Sequence, residues 1–442
     1  MDTRIKTKYG TYIGVEEQEA IAFKSIPYAQ PPVGALRYRS PQKLLPSSEE
    51  YDATRFRARS LQCVWDASDG FYEKEFPLEG ELNVPISEDS LYLNIWVPKH
   101  HEDEKMPVLF YIHGGGFGSG TGHEIEFITE AYAKRGIILI TINYRLGMTG
   151  FLVHPWLIEE DPAAVGNYGI LDEMMALEWV QENISHFGGD PARVTICGQS
   201  AGAISVQAIL ASRFGDGKYC AAIAQSGSGY PQILAEDFSM EEAIENGKRY
   251  IELLGVTSLE ELRQVPAEKL MEGQREFINS CIAERRKIPF GPIRNGYVLK
   301  EFLTESIEKG HLYPVPTIIG CNRDDILISR EKASSLESRM YRSNLAYSFM
   351  NEKIQNNPAY VYFFKRELPG DGAGAFHSGE LWYTMGSIKH CWRPMTTEDF
   401  HLADQMVTYW SNFVKTGNPA SSDTEPWEPC KLEDPFVKIF DI

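Results

Sequence analysis

The chain has 442 residues, 43% of them hydrophobic, a formal net charge of −19 and seven cysteines. That length can bury a large core, and no break in composition divides it, so a single domain spanning residues 1–442 is expected. The acidic excess excludes a nucleic-acid partner, which would need a basic face.

The opening residues, Met1-Asp2-Thr3-Arg4-Ile5-Lys6, carry no apolar signal-peptide segment. No apolar run approaches the ~18 to 20 residues of a membrane span, so no membrane association is expected. An odd number of cysteines without metal-ligand spacing fits reduced thiols in the cytoplasm better than a disulfide framework or a metal site. Asn183-Ile184-Ser185 is formally a glycosylation acceptor, expected to be idle without export.

Residues 5–15 read as an edge hairpin turning at Tyr9-Gly10. Over residues 23–38, Pro27, Pro31 and Pro32 hold the backbone extended, which predicts an ordered, aromatic-packed loop. Residues 49–85 are charged and weakly periodic and read as a surface excursion. Residues 87–97 re-enter a strand rich in β formers.

Two near-continuous apolar runs follow, 107–112 and 137–142, as in parallel strands covered by helices on both faces. Between them lies His113-Gly114-Gly115-Gly116-Phe117-Gly118-Ser119-Gly120. Helical periodicity over 172–184 stops at Phe187-Gly188-Gly189-Asp190-Pro191.

Then comes Val194-Thr195-Ile196-Cys197-Gly198-Gln199-Ser200-Ala201-Gly202-Ala203-Ile204. An apolar strand enters a Gly-x-Ser-x-Gly turn and a small-residue helix leaves it, the context in which a serine is pushed out above a sheet. Both glycines are expected where Cβ atoms would clash and only glycine tolerates the dihedrals.

A short strand over 221–224 ends at Gln225-Ser226-Gly227. Residues 241–277 read as helices broken at Gly255 and Pro266, an insertion on one side of the sheet. Further strands are expected over 315–320, 360–365 and 436–442, and an amphipathic helix over 404–414. This alternation predicts an α/β fold with a central, mostly parallel twisted sheet flanked by helices.

A serine hydroxyl needs a base to take its proton, a third group to orient that base, and donors for the oxyanion formed on attack. The amides of Gly115 and Gly116, unshielded by side chains, and that of Ala201 after the serine can serve as those donors. The triple glycine could instead cradle a phosphate, but that needs a following helix N-terminus and usually a lysine, and neither is evident.

Of ten histidines, His311, His377, His390 and His401 remain once those in the glycine loop, before the serine or in polar linkers are set aside. His377, in a loop after a strand, is the favoured base. The orienting acid should end another strand between serine and histidine, which leaves Asp324 or Asp325.

Four stretches together resemble the type-B carboxylesterase and cholinesterase family of α/β-hydrolases, its bacterial-type, para-nitrobenzyl esterase-like members in particular. They are Ile26-Pro27-Tyr28-Ala29 with Pro31-Pro32-Val33-Gly34, Ser87-Glu88-Asp89 through Leu91-Tyr92-Leu93-Asn94, the His113–Phe117 loop, and Phe187-Gly188-Gly189-Asp190-Pro191 leading to the serine turn. The similarity runs from about residue 8 to Trp427.

The resemblance implies Ser200 as nucleophile, His377 as base, Asp325 as acid, and Gly115, Gly116 and Ala201 as oxyanion donors. It also implies Ser226 as a serine hydrogen-bonded to the acid, and it requires no cofactor or metal. Phe117 and Trp382 are candidates for lining the substrate pocket. The expected substrate is a small-molecule ester with a short or medium acyl chain, the expected assembly a monomer or small homo-oligomer.

Several positions depart from the family. Ser90 stands where a cysteine usually pairs with one near Cys63. Gln199 replaces a glutamate before the nucleophile, which lowers the expected base pKa. Ile326 stands where a glycine usually follows the acid, and residues 325–377 look shortened, predicting a reduced helical cap and a more open pocket. The rival reading is a non-catalytic binding or adhesion module of the same fold. Such members typically lack the serine or histidine, and this chain has both.

Overall fold

An all-apolar strand demands cover on both faces, and Met106–Ile112 and Ile138–Ile142 are buried at every position. The computed structural model describes residues 2–63, 70–101, 105–235, 237–325 and 330–442. Its main sheet has ten strands. They are β1 (Val15–Glu16), β2 (Ala20–Pro27), β3 (Tyr92–Pro98), β4 (Met106–Ile112), β5 (Ile138–Ile142), β6 (Gly189–Gln199), β7 (Ala221–Gln225), β8 (Thr317–Asn322), β9 (Ala359–Phe364) and β10 (Val437–Phe440).

Their spatial order is β10-β9-β8-β7-β6-β4-β5-β3-β2-β1. Strands β4 to β10 pair in parallel, and antiparallel pairings join β5 to β3, β3 to β2 and β2 to β1.

The helices used below are α1 (Phe71–Glu75), α2 (Tyr168–Asn183), α3 (Ala201–Ala211), α4 (Met240–Leu254), α5 (Leu259–Gln264), α6 (Ala267–Ala283), α7 (Arg330–Gln355) and α8 (Thr397–Thr416). Alternate strand side chains face opposite ways. Val108, Phe110 and Ile196 pack with Leu177 of α2 and Val206 of α3, whereas Leu109, Tyr111 and Cys197 pack with Met406 and Trp410 of α8. Helices α4 to α6 enclose a separate apolar cluster through Tyr250, Leu262 and Phe277. Helix α4 starts on a Ser239/Glu242 capping box and stops at Gly255 with φ 68°, and Pro266 sits at the N-cap of α6, so both expected breaks occur for capping reasons.

Parallel register brings the strand ends that matter to one edge. Gly198 of β6 is level with Ile112 of β4 and Ala224 of β7, Gln225 with Gly320 of β8, and Asn322 with Phe364 of β9. The segments carrying Gly115, Ser200, Ser226, Asp325 and His377 therefore all leave the sheet at its C-terminal side, where open α/β sheets form their crevices.

Three local expectations need correction. The hairpin forms between Arg4–Thr7 and Gly10–Ile13, but it joins Glu50–Asp52 in a separate three-stranded sheet. Part of the proline-rich stretch is strand β2, because Pro27 closes the strand rather than interrupting it. The described residues of 49–85 are no surface excursion, since Phe56, Ser60, Leu61, Glu75 and Leu82 are buried; the charges between them hide the apolar contacts.

Where the resemblance implied a cysteine pair, the Ser60 and Ser90 hydroxyls meet at 3.0 Å. Cys63 lies farther on and donates to Met271 O at 3.0 Å. None of the seven cysteines, all of them among the described residues, is in a disulfide. Asn183 is 1% exposed and donates to Trp179 O at 2.8 Å, so the formal glycosylation acceptor points inward.

Candidate active site

Strand β6 ends at Gln199 and α3 begins at Ala201, leaving Ser200 between them at φ 55°, ψ −122°. A non-glycine residue held there costs about 1–3 kcal/mol and persists only where the surroundings over-determine it. Here Ser200 N donates to Gln225 O at 2.8 Å and Ser200 O accepts from Ala203 N at 2.9 Å.

The flanking glycines are there for close approach. A Cβ at Gly198 would lie 2.3 Å from Gly202 O, and one at Gly202 would lie 2.1 Å from Ile112 O. Neither has a positive φ, so the expected dihedral role belongs to Ser200 itself.

The glycine loop rests against this turn. A Cβ at Gly114 would lie 3.1 Å from Ser200 Cβ and 2.9 Å from Gln199 O. Gly115 and Gly116 turn at φ 97° and 60°, are exposed, and donate no backbone hydrogen bond among the described residues. Ala201 opens α3, where an N–H has no intrahelical acceptor. The loop carrying Gly115 and Gly116 thus reaches the serine turn through Gly114.

Phe117, with φ 58°, is 3% exposed and packs edge-on to Phe151 at 5.1 Å. His113 holds the loop's base, with Nδ1 2.8 Å from Gly114 O and its ring stacked on Tyr144; burial pulls its pKa down to about 4.

The choice between the two aspartates follows from extended backbone, on which adjacent side chains point apart. Asp324 turns toward Arg323 and accepts from Ala375 N at 2.8 Å. Asp325 is fully buried; its Oδ2 accepts from Asn322 N at 2.9 Å and its Oδ1 meets His377 Nδ1 in a hydrogen bond. With Nδ1 donating, His377 Nε2 is the acceptor, and Gln199 Nε2 donates to it across 3.3 Å. The imidazole therefore sits beside the serine turn.

Burial pulls the His377 pKa down, but the charge and hydrogen bond of Asp325, and then the charge of Glu380, outweigh it and the net shift is upward. Burial first, then the Asp325 charge, push Glu380 up to about 7. Its carboxyl is held by Asn322 Nδ2, which also donates to Phe376 O at 2.7 Å. Asn322 and Glu380 went unassigned in sequence. Glu380 lies inside the stretch carrying His377, but nothing local shows that its carboxyl is buried.

Two expectations fail. Ser226 Oγ is buried without a hydrogen-bond partner among the described residues, and the Asn322 amide holds the acid in its place. Trp382 lines no pocket: it is fully buried, stacks on Phe76 at 5.2 Å and donates Nε1 to Glu75 at 2.8 Å. An indole can be entirely enclosed when its N–H finds an acceptor. Ile326, expected to reshape the acid loop, lies outside the described residues.

The carboxylesterase family model matches residues 1–356 and 329–441. The chain is 30% identical to the para-nitrobenzyl esterase of Bacillus subtilis (strain 168), over an alignment covering 99% of this chain and 94% of that one. It is 35% identical to the fumonisin B1 esterase of Sphingopyxis macrogoltabida over 376 residues, 85% of this chain and 66% of that one. Among solved structures, a PNB esterase superposes with a TM-score of 0.87 at 27% identity, covering 100% of this chain and 96% of its own. Whole-length agreement of sequence and topology leaves one conclusion: the chain belongs to the carboxylesterase family, has the α/β-hydrolase fold and is a carboxylic-ester hydrolase.

Proposed function

We propose that Ser200 is the nucleophile, His377 the general base, Asp325 the acid that orients it, and the amides of Gly115, Gly116 and Ala201 the oxyanion donors. The carrying observation is the Asp325–His377 hydrogen bond, with Nε2 of the same imidazole beside the residue preceding Ser200. Ser200 Oγ attacks the ester carbonyl carbon as its proton passes to His377 Nε2, and the carbonyl oxygen becomes an oxyanion facing the glycine amides. His377 then protonates the departing alkoxide, leaving an acyl-enzyme. Water, deprotonated by His377, attacks that ester in turn; the carboxylic acid leaves and Ser200 is restored.

Uncharged esters of short or medium acyl chains, some with aryl or xenobiotic alcohols, are the substrates this reading favours, in a more open pocket under a reduced cap. A series of para-nitrophenyl esters from acetate to palmitate tests it. The expected kcat/KM peaks between acetate and hexanoate; a maximum at laurate or longer overturns the substrate class. We also place the enzyme in the cytoplasm, supported by seven cysteines none of which is in a disulfide, as a monomer or small homo-oligomer. Among the described residues no helix is long and apolar enough to cross a membrane.

Gln199 tunes the base. Its amide donates to Nε2 and so favours the neutral imidazole, whereas a carboxylate there would favour the imidazolium. Since the neutral base is the active form, Gln199→Glu is expected to move the acid limb of the kcat/KM profile to higher pH, by about one unit. A limb at the same pH or lower contradicts the assignment.

A further inference from the structure

The loop that carries His377 contains Gly370, Gly372 and Gly374, all at positive φ, and has little stiffness of its own. Something outside it must hold the base. The structure surrounds it with a buried polar cluster centred on Arg393, which has no side-chain exposure, and on Glu75, which is 1% exposed.

Arg393 Nε donates to Glu75 at 3.0 Å and its Nη2 lies 2.9 Å from the same carboxylate. Its Nη1 donates to Pro369 O at 3.1 Å and to Asp371 at 2.7 Å, and the guanidinium lies 5.0 Å from the ring of Phe376. Glu75 also accepts from Trp382 Nε1 at 2.8 Å and Trp392 Nε1 at 3.0 Å. One turn of helix α1 is thereby locked onto the loop, with Phe71 edge-on to Phe376 at 5.0 Å. From that turn Tyr72 Oη donates to the main-chain oxygen of His377 at 3.1 Å.

We propose that α1, anchored through the Glu75–Arg393 pair, is the clamp that positions the catalytic imidazole, with Tyr72 and Arg393 as positioning residues for ester hydrolysis. The proposal rests on His377 being the base. The charge on one side of Arg393 comes from α1 and on the other from the glycine-rich loop, so a planar fork with several donors joins two segments that a lysine, a point charge, could not hold in one geometry.

The charges that raise the His377 pKa are those of Asp325 and Glu380. Tyr72→Phe removes no charge at neutral pH, so a shifted pH profile in that variant reports altered geometry rather than a lost field. Loosening the ring from Asp325 leaves burial to pull its pKa down.

The test compares Tyr72→Phe and Glu75→Gln with the wild-type enzyme on para-nitrophenyl butyrate, with folding followed by circular dichroism. Tyr72→Phe removes one hydroxyl from a half-buried side chain, so it carries the test if Glu75→Gln does not fold. Expected is a fall in kcat of roughly tenfold with KM within about twofold, since misplacing a base by a fraction of an ångström acts on the transition state. The acid limb should move to lower pH, and Glu75→Asp should recover part of the loss.

Folded variants with wild-type kcat and an unmoved acid limb overturn the clamp. Failure of the underlying mechanism shows differently: His377→Ala would keep its turnover, and the clamp would then have no base to position.

Discussion

Replacing Ser200 by alanine is expected to lower kcat on para-nitrophenyl acetate or butyrate by about 10⁵- to 10⁶-fold, with the fold unchanged. The magnitude follows from what is lost. The proposed oxyanion donors and the binding surface survive, and these alone give a modest rate over water; the covalent route through an acyl-enzyme does not. Alanine leaves the backbone bonds of the turn in place, Ser200 N to Gln225 O among them, and it carries the same Cβ at the same positive φ. Stability should therefore move little while activity collapses. A variant that still turns over at near wild-type rate would place the chemistry elsewhere in the molecule.

Exchanging Asp325 for asparagine is expected to cost about 10⁴ in kcat, while Asp324→Asn keeps most of the activity. An asparagine amide next to Nδ1 can donate to it, which would put the imidazole proton on Nε2, the nitrogen that must accept from Ser200. Asp324 instead supports the base loop, through its bond from Ala375 N and its pair with Arg323. Its side chain is about one-third exposed, so its neutralisation should cost about 1 kcal/mol of stability, read as a fall in Tm. Steady-state kinetics on the two variants decide between them, and an inactive Asp324→Asn beside an active Asp325→Asn would reverse the assignment.

The two carboxylates also show where a local reading stops. Val315 through Asp325 announces a strand followed by an acid, yet which of two adjacent side chains meets the histidine depends on how the chain leaves β8. The bridge between Asp324 and Phe376 turns Asp324 onto the loop backbone and Asp325 inward. Trp382 failed as a pocket residue for a related reason: its indole N–H has a partner, Glu75, that lies 307 positions away. In residues 49–85 charge density is no guide to exposure, since Glu75 is buried on an arginine.

By itself the sequence determined the strand-turn-helix around Ser200, the glycine loop, the buried parallel strands and the helical insertion. Each depends on sterics or periodicity within a dozen or so residues, where side-chain type dictates backbone geometry. Only the tertiary structure decided which acid faces the imidazole, what holds its loop and what lies against Nε2. Those contacts join residues 52 and 178 positions apart, and the register of the parallel strands, with the packing above their C-terminal ends, brings them within reach.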